Sequence, residues 1–532
     1  MKANKDKTYP IDIYGIKKIG IEKWFNHYYT PVTGKEYYGL VDKVSFIYLS
    51  LLSKSNNNEI LYSIGSANIK IIQIVSTYLI ELLTLSRLKM NGYEYVVGKE
   101  RVEIQEYISM CHSPSLSGMK LIGEQINSLN YQEKIKNILR VLKYNCELPH
   151  LMGKKLLNSI SNPHFLIGDR AQQEVVAFCK ENNISPIHLH PLLFAKKNTS
   201  LVDGFQHLPE MEEFVNEFLS KIKESYLFVS ETDFVRLKVH VIDYFRNSLL
   251  LFYQNLTFMK KFKLRPLLVS GLGRHIHRIF CSAWRYAGGK VIGFSHGRSY
   301  CHHYMPRIFN DLSMVDLYVA SSQGHKEIVN QAAKDFMPDY KIPNIIHLRN
   351  NTRKSLFSKL QNNTPVNKIK KVMLMGGLLS GYFYIDTEYH PFAFLYNDLK
   401  LIKILRKAGY YVIYKPCFYG LNETKNIFET YVDEVIIERF EDVYNHADCI
   451  FWPSPYSTTF GFALLSNKPI VFLNVKGNIW YPRALELLRK RCSVVKADAV
   501  DGKIVFDEKD VLDAVENSLE NINYDILYEF AF

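Results

Sequence analysis

The sequence contains no Cys-x-x-Cys pair. Its eight cysteines, Cys111, Cys146, Cys179, Cys281, Cys301, Cys417, Cys449 and Cys492, are scattered along 532 residues. That spacing argues against a disulfide scaffold and reads as the reduced, mostly buried thiols of a cytoplasmic protein. Glycine (27) and proline (19) are too few for a collagen-like or low-complexity chain. A membrane span needs about 20 largely apolar residues. The most apolar stretch, 69–85, is broken by Lys70, Gln73 and Glu81, so a buried helix is expected there instead. The opening residues carry charge with no apolar run after them, so no secretory leader is expected. The chain is read as lacking a Gly-x-Ser-x-Gly elbow and a Walker A sequence, so hydrolase and P-loop readings are set aside, and an Asp-x-Asp pattern for Mg²⁺ is absent too.

What the chain does have is 47% hydrophobic residues, enough to rule out a mainly disordered chain. Its length implies several domains, each able to bury a core. The net charge of +13 suits an anionic partner. No Lys/Arg block dominates, which disfavours a dedicated nucleic-acid binder and leaves a nucleotide, an anionic glycan or an acidic membrane face.

Short β-like runs alternate with amphipathic segments, the pattern of parallel sheets covered by helices in an α/β fold. The runs expected as strands include 58–65, 164–169, 186–191, 265–271, 290–297 and 315–322. A second series covers 370–377, 410–416, 434–438, 448–454 and 469–474. The expected division is an N-terminal extension over 1–45 packed on the first domain, an N-terminal α/β domain over 46–349 and a polar linker over 350–367. A C-terminal α/β domain over 368–532 completes it. Gly409 reads as the residue just past a helix covering 393–408.

In open parallel sheets ligands gather outside the carboxyl ends of the strands, and four such places carry candidate residues. Ser454, Ser457, Thr458 and Thr459 follow the strand near 450 and precede a small-residue helix, where hydroxyls and free amides suit a phosphate. Lys415, stiffened by Pro416, closes the strand near 412 and can pair with the same anion. His296 follows the strand at 290–294, with Gly297 allowing a tight turn and Arg298 a candidate anion contact. Gly271, Gly273 and Arg274 follow the strand near 267 and permit close approach of an anion; the spacing is not a dinucleotide fingerprint. Asp169, after the strand near 166, is a strand-end carboxylate whose plain reading is a helix cap.

His275, His277, Cys281, Cys301, His302 and His303 crowd a short region without zinc-site spacing. They read as core and surface residues, and no metal is expected.

Tyr414-Lys415-Pro416, Glu438-Arg439-Phe440 and the Ser454–Thr459 turn before the small-residue helix together resemble the nucleotide domain of GT-B glycosyltransferases. The closer resemblance is to bacterial surface-polysaccharide enzymes: capsule and lipopolysaccharide Kdo transferases, sialyl- and polysialyltransferases and CDP-glycerol glycerophosphotransferases. Phe294-Ser295-His296-Gly297 resembles a turn in the N-terminal domain of several members. The resemblance spans about 265–480. It implies two Rossmann-like domains facing each other across a cleft. It also implies metal-independent transfer of a Kdo- or sialic-acid-like sugar from a CMP- or other nucleotide-linked donor to a growing surface polysaccharide. The nucleotide sugar is a co-substrate, with no other cofactor; the acceptor is a glycan or glycolipid. On that reading Lys415, Pro416, Ser454, Ser457, Thr458 and Thr459 hold the phosphate and Glu438 the ribose. His296 is the base of an inverting reaction, and Asp169 the carboxylate of a retaining one. Alternatives are a polyol-phosphate transferase, a sugar-nucleotide epimerase and a non-catalytic part of a polysaccharide assembly complex. The expected location is cytoplasmic, with peripheral contact at the inner membrane face.

Overall fold

The computed structural model describes residues 7–10, 13–96, 164–169, 172–189, 191, 206–259, 264–295, 311–337, 342–348, 353–361, 366–377, 391–417, 426–454, 458–475, 480–501 and 503–531. The fold is mixed α/β, and the chain divides into two compact units. One comprises residues 1–42, 76–114 and 354–529; the other comprises 43–75, 115–353 and 530–532. This differs from the expectation that 1–45 packs on the first domain. The reason is aromatic packing: Phe25 and Tyr28 each stack on Tyr396 at 4.6 Å between ring centroids, and Trp24 meets Phe392 edge-on at 6.3 Å. In the same unit β1 (Thr8–Pro10) pairs in parallel with β2 (Glu94–Val96).

The unit containing 115–353 is built on β3 (Phe165–Ile167), β4 (Ile187–His188), β5 (Leu267–Val269), β6 (Val291–Phe294), β7 (Leu317–Ala320) and β8 (Asn344–His347). Every pairing is parallel, in the order β4-β3-β5-β6-β7-β8. The central strands β5, β6 and β7 are buried on both faces, so they read as continuous apolar runs rather than alternating ones. The segment expected as a strand at 58–65 is instead a helix, Glu59–Ala67. Asn58 caps it by accepting the Leu61 amide at 3.0 Å, and its Ile64–Ala67 end is buried. Two long helices, Leu208–Ser225 and Glu231–Met259, precede β5.

The other unit carries β9 (Lys371–Met375), β10 (Tyr411–Lys415), β11 (Glu434–Val435), β12 (Cys449–Trp452), β13 (Ile470–Val475), β14 (Ser493–Val500) and β15 (Lys503–Val505). The order is β11-β10-β9-β12-β13-β14-β15, parallel throughout except for β15. The chain moves outward from β9 to β11 and then returns to start again at β12. Strand order therefore reverses between β9 and β12, and loops leave the two strands in opposite directions there. One face of the sheet packs on the helix Pro391–Lys407, burying Val372, Leu374, Val412, Tyr414, Cys449 and Phe451 with Leu395, Leu399 and Ile402. Gly409 follows that helix at φ +87°, as the sequence implied. Within the expected linker, Arg353–Leu360 is helical. Among the described residues, no helix is long and apolar enough to cross a membrane.

Candidate functional site

Register decides what stands at the carboxyl edge beside the reversal of the second sheet. Lys415 on β10 lies opposite Met375 on β9, and Leu374 opposite Phe451 on β12. One residue further along, Lys415, Met375 and Trp452 are level and project from the same face, away from the helix Pro391–Lys407. Trp452 packs there against Phe440 at 5.9 Å and Phe460 at 5.5 Å. Phe460 belongs to the helix Thr458–Leu465. Lys415 and the amino end of that helix therefore share one face and one end of the sheet.

Lys415 is 7% exposed. Its Nζ donates only to the carbonyl of Pro416, at 3.4 Å, and no carboxylate pairs with it among the described residues. Burial lowers its pKa, while the Cys417, Glu441 and Glu438 groups pull it upward. A buried ammonium is normally paired, and no described carboxylate takes that place here. Pro416 is buried beside it, Glu438 is exposed, and Ser454 and Thr459 are half-buried. Thr458 opens its helix; Ser457 lies outside the described residues.

The turn after β9 lets the backbone come close. A Cβ on Gly376 would meet Tyr414 Oη at 2.5 Å and Pro416 Cα at 3.2 Å, and one on Gly377 would meet Phe394 Cβ at 2.8 Å. The Gly376 amide donates to Lys415 O at 2.9 Å. Beneath the turn, Asp398 Oδ2 accepts the Gly377 amide at 3.2 Å and the Tyr414 hydroxyl at 3.0 Å. The helix Thr458–Leu465 is held from its far end: Arg491, fully buried, donates to the carbonyls of Leu464, Ser466 and Lys468. The sequence showed Gly376-Gly377 as a turn after the strand, but Gly376, Gly377, Asp398 and Arg491 were not named as site residues. Asp398 did leave a trace there, because it stands on the apolar stripe of its helix with Leu395, Ile402 and Leu405. Asp448, by contrast, works at the amino edge, where it accepts the amides of Lys370 and Lys371.

The other sheet reverses between β3 and β5, where Gly168-Asp169 and Ser270–Arg274 emerge. Gly168 adopts φ +95°, and a Cβ there would overlap Ser270 Oγ. That hydroxyl takes the Asp169 amide, which leaves the Asp169 side chain exposed at the edge. Arg274 is exposed as the residue before the helix His275–Tyr286, and Lys70 donates to Gly273 O. His275 is a core residue: Tyr244 Oη lies 2.7 Å from Nδ1 and Ser248 Oγ 3.0 Å from Nε2. Burial, helped by the Arg278 and Lys70 charges, lowers its pKa to about 3, so it is neutral. His277 is buried beside Gly271 O at 3.2 Å. Among the described residues, no group of three or more His, Cys, Asp or Glu side chains is placed to hold a metal ion.

His296 and Arg298 lie outside the described residues. The expectation that the chain has no Gly-x-Ser-x-Gly pattern is corrected here: Gly293-Phe294-Ser295-His296-Gly297 has that spacing. A nucleophile elbow presents its serine at the top of the sheet. Ser295 is 2% exposed, and its amide continues the ladder to Val319 O at 3.0 Å. Its carbonyl takes the Gln172 side chain at 2.6 Å.

No known family model matches this chain, and no curated protein does.

Proposed function

We propose that the protein is a metal-independent glycosyltransferase of the GT-B type. In this reading the unit containing 354–529 is a Rossmann-like domain that binds a nucleotide-activated sugar, CMP-linked in the first instance. The observation that carries the proposal is Lys415: a buried ammonium with no carboxylate partner among the described residues, level with the strand-order reversal. A phosphate placed there completes its pairing. It also meets the amino end of the helix Thr458–Leu465, whose dipole and free amides favour negative charge.

The chemistry follows from that placement. Sugar transfer breaks the bond between the anomeric carbon and the phosphate oxygen, and the nucleotide departs with the electron pair. Charge grows on the phosphate as the bond opens. Lys415 and the helix amides are fixed in advance, so their stabilisation is greatest at that moment. Ser454, Ser457, Thr458 and Thr459 supply further donors, and Glu438, exposed beside this edge, accepts from the ribose. The acceptor hydroxyl loses its proton to His296 if configuration inverts. If configuration is retained through a covalent intermediate, Asp169 is the nucleophile. The acceptor is a surface glycan or glycolipid, met at the inner membrane face by a chain of net charge +13.

The experiment is calorimetry with CMP, CDP and UDP, followed by transfer assays with CMP-Kdo, CMP-sialic acid, CDP-glycerol and UDP-sugars, with and without EDTA. Binding of a cytidine nucleotide and transfer that survives EDTA support the reading. Failure of all three nucleotides to bind defeats it and favours a non-catalytic assembly component. Turnover of donor without acceptor identifies an epimerase instead.

A further inference from the structure

We propose that Asp398 is the positioning residue of the phosphate site: from the opposite face of the sheet, its carboxylate holds the two backbone segments that place Lys415. The inference rests on the reading of Lys415 given above.

Asp398 is fully buried on the helix Pro391–Lys407. One oxygen joins the Gly377 amide on β9's turn to the Tyr414 hydroxyl on β10; the other, Oδ1, has no partner among the described residues. The Tyr414 hydroxyl is wedged between this carboxylate and Gly376, whose added Cβ would stand 2.5 Å from it. Gly376 in turn donates to Lys415 O at 2.9 Å. Asp398, Tyr414, Gly376 and Lys415 thus form one continuous chain of contacts, from the helix face to the ligand face. Neither glycine amide is left for a ligand, so the turn contributes position rather than donors.

A carboxyl kept for packing alone is a poor choice here, because a buried acceptor with an idle oxygen costs stability. Burial pushes the Asp398 pKa up to about 7, while the Gly377 amide and Tyr414 hydroxyl pull against it. Tyr414 is the titratable group acting on it among the described residues, and Tyr414 itself is held far above its ordinary range by burial, with the Asp398 and Cys417 charges adding to the effect. Lys415, next along the strand, projects from the other face. The ionised carboxylate accepts both hydrogen bonds more strongly than the acid does. The turn, and with it the phosphate grip, therefore tightens as pH rises through neutrality.

The test compares wild type with Asp398→Asn, which keeps shape and an acceptor oxygen but does not titrate. CMP and CDP affinities are measured by calorimetry at pH 6 and pH 8, and hydrogen exchange is followed in the peptide spanning Gly376 and Gly377. The nucleotide's own titration is common to both proteins, so the difference between their pH profiles is the readout. The expected result is a loss of about three- to tenfold in affinity at pH 8, the worth of one hydrogen bond, with a smaller loss at pH 6 and faster exchange at the turn. Tyr414→Phe, which removes one bond and keeps the carboxylate, is expected to lose part of the affinity and serves if Asp398→Asn does not fold. Parallel pH profiles with unchanged turn exchange overturn this inference while leaving the nucleotide reading intact. Failure of wild type to bind either nucleotide overturns both.

Discussion

Arg491 Nη2 lies 2.6 Å from Ser466 O, with the guanidinium wholly buried. Its Nε reaches Leu464 O at 3.2 Å, and Tyr524 covers it at 5.2 Å from the ring centroid. A cation at this position satisfies carbonyls that the end of the helix Thr458–Leu465 cannot pair for itself. Arg278 does the same in the other unit, donating to Ala67 O and Ser66 O at the end of Glu59–Ala67. Arg491→Met keeps most of the volume and strands these carbonyls. We expect it to cost about 3 kcal/mol, read from urea denaturation, with Arg491→Lys recovering only part because an ammonium cannot fork between acceptors. An unchanged midpoint would remove the anchoring role.

Asp398 makes stability depend on pH in a direction opposite to that of a salt-bridged carboxylate. Its pKa is about 7 in the folded protein against an ordinary 3.8. Between those values the folded state keeps a proton that the unfolded chain has released. Its contribution is therefore fully present below about pH 4 and is lost as pH rises to 7. The whole span is worth on the order of 4 kcal/mol. Asp398→Asn lacks this dependence. The stability of wild type relative to the variant should fall by roughly 3 kcal/mol between pH 5 and pH 8. Denaturation curves at the two pH values decide it, and parallel behaviour would refute the assignment.

The glycines offer a matched pair. A Cβ at Gly376 would press on Tyr414 Oη at 2.5 Å and on the Pro416 backbone at 3.2 Å, whereas one at Gly273 meets nothing within 4 Å. Gly376→Ala should destabilise by about 1–3 kcal/mol and weaken nucleotide binding, since the displaced atoms belong to the segment carrying Lys415. Gly273→Ala should change the melting temperature little. Equal tolerance at both positions would contradict the close approach at β9.

Much of this architecture was legible because strands such as Lys371–Met375 and Cys449–Trp452 are buried on both faces and read as apolar runs ending at glycine or proline. The misread stretch at 58–65 shows the limit of that signal. Ile60, Leu61, Tyr62 and Ile64 look strand-like, and the feature favouring a helix was the capping Asn58. Pro482–Arg491 went unread although Ala484, Leu487, Leu488 and Arg491 form one buried stripe. Lys415 and Thr458 were singled out because they follow strand ends, and strand ends are few. Asp398 was not found, because a carboxylate on a helix ordinarily faces water, and only the tertiary packing of Tyr414 and Gly377 on it reverses that.

Lys415 gives the sharpest test, because binding and stability should move in opposite directions. Burial disfavours its charge, and its hydrogen bond to Pro416 O is long. Lys415→Met keeps the aliphatic stem and removes the ammonium, so the folded protein should melt no lower than wild type and is expected to melt higher. The same change takes away the charge that meets the phosphate. Nucleotide affinity should drop at least about tenfold, or ~1.4 kcal/mol, and the affinity that remains should depend less on salt. A residue conserving structure alone would do the reverse, lowering the melting temperature and leaving affinity unchanged. Thermal unfolding with and without CMP separates the cases in one experiment, because a nucleotide that binds only the folded state raises the midpoint further the more tightly it binds. A variant that is less stable yet shows the full nucleotide-induced shift would assign Lys415 to the core rather than to a site.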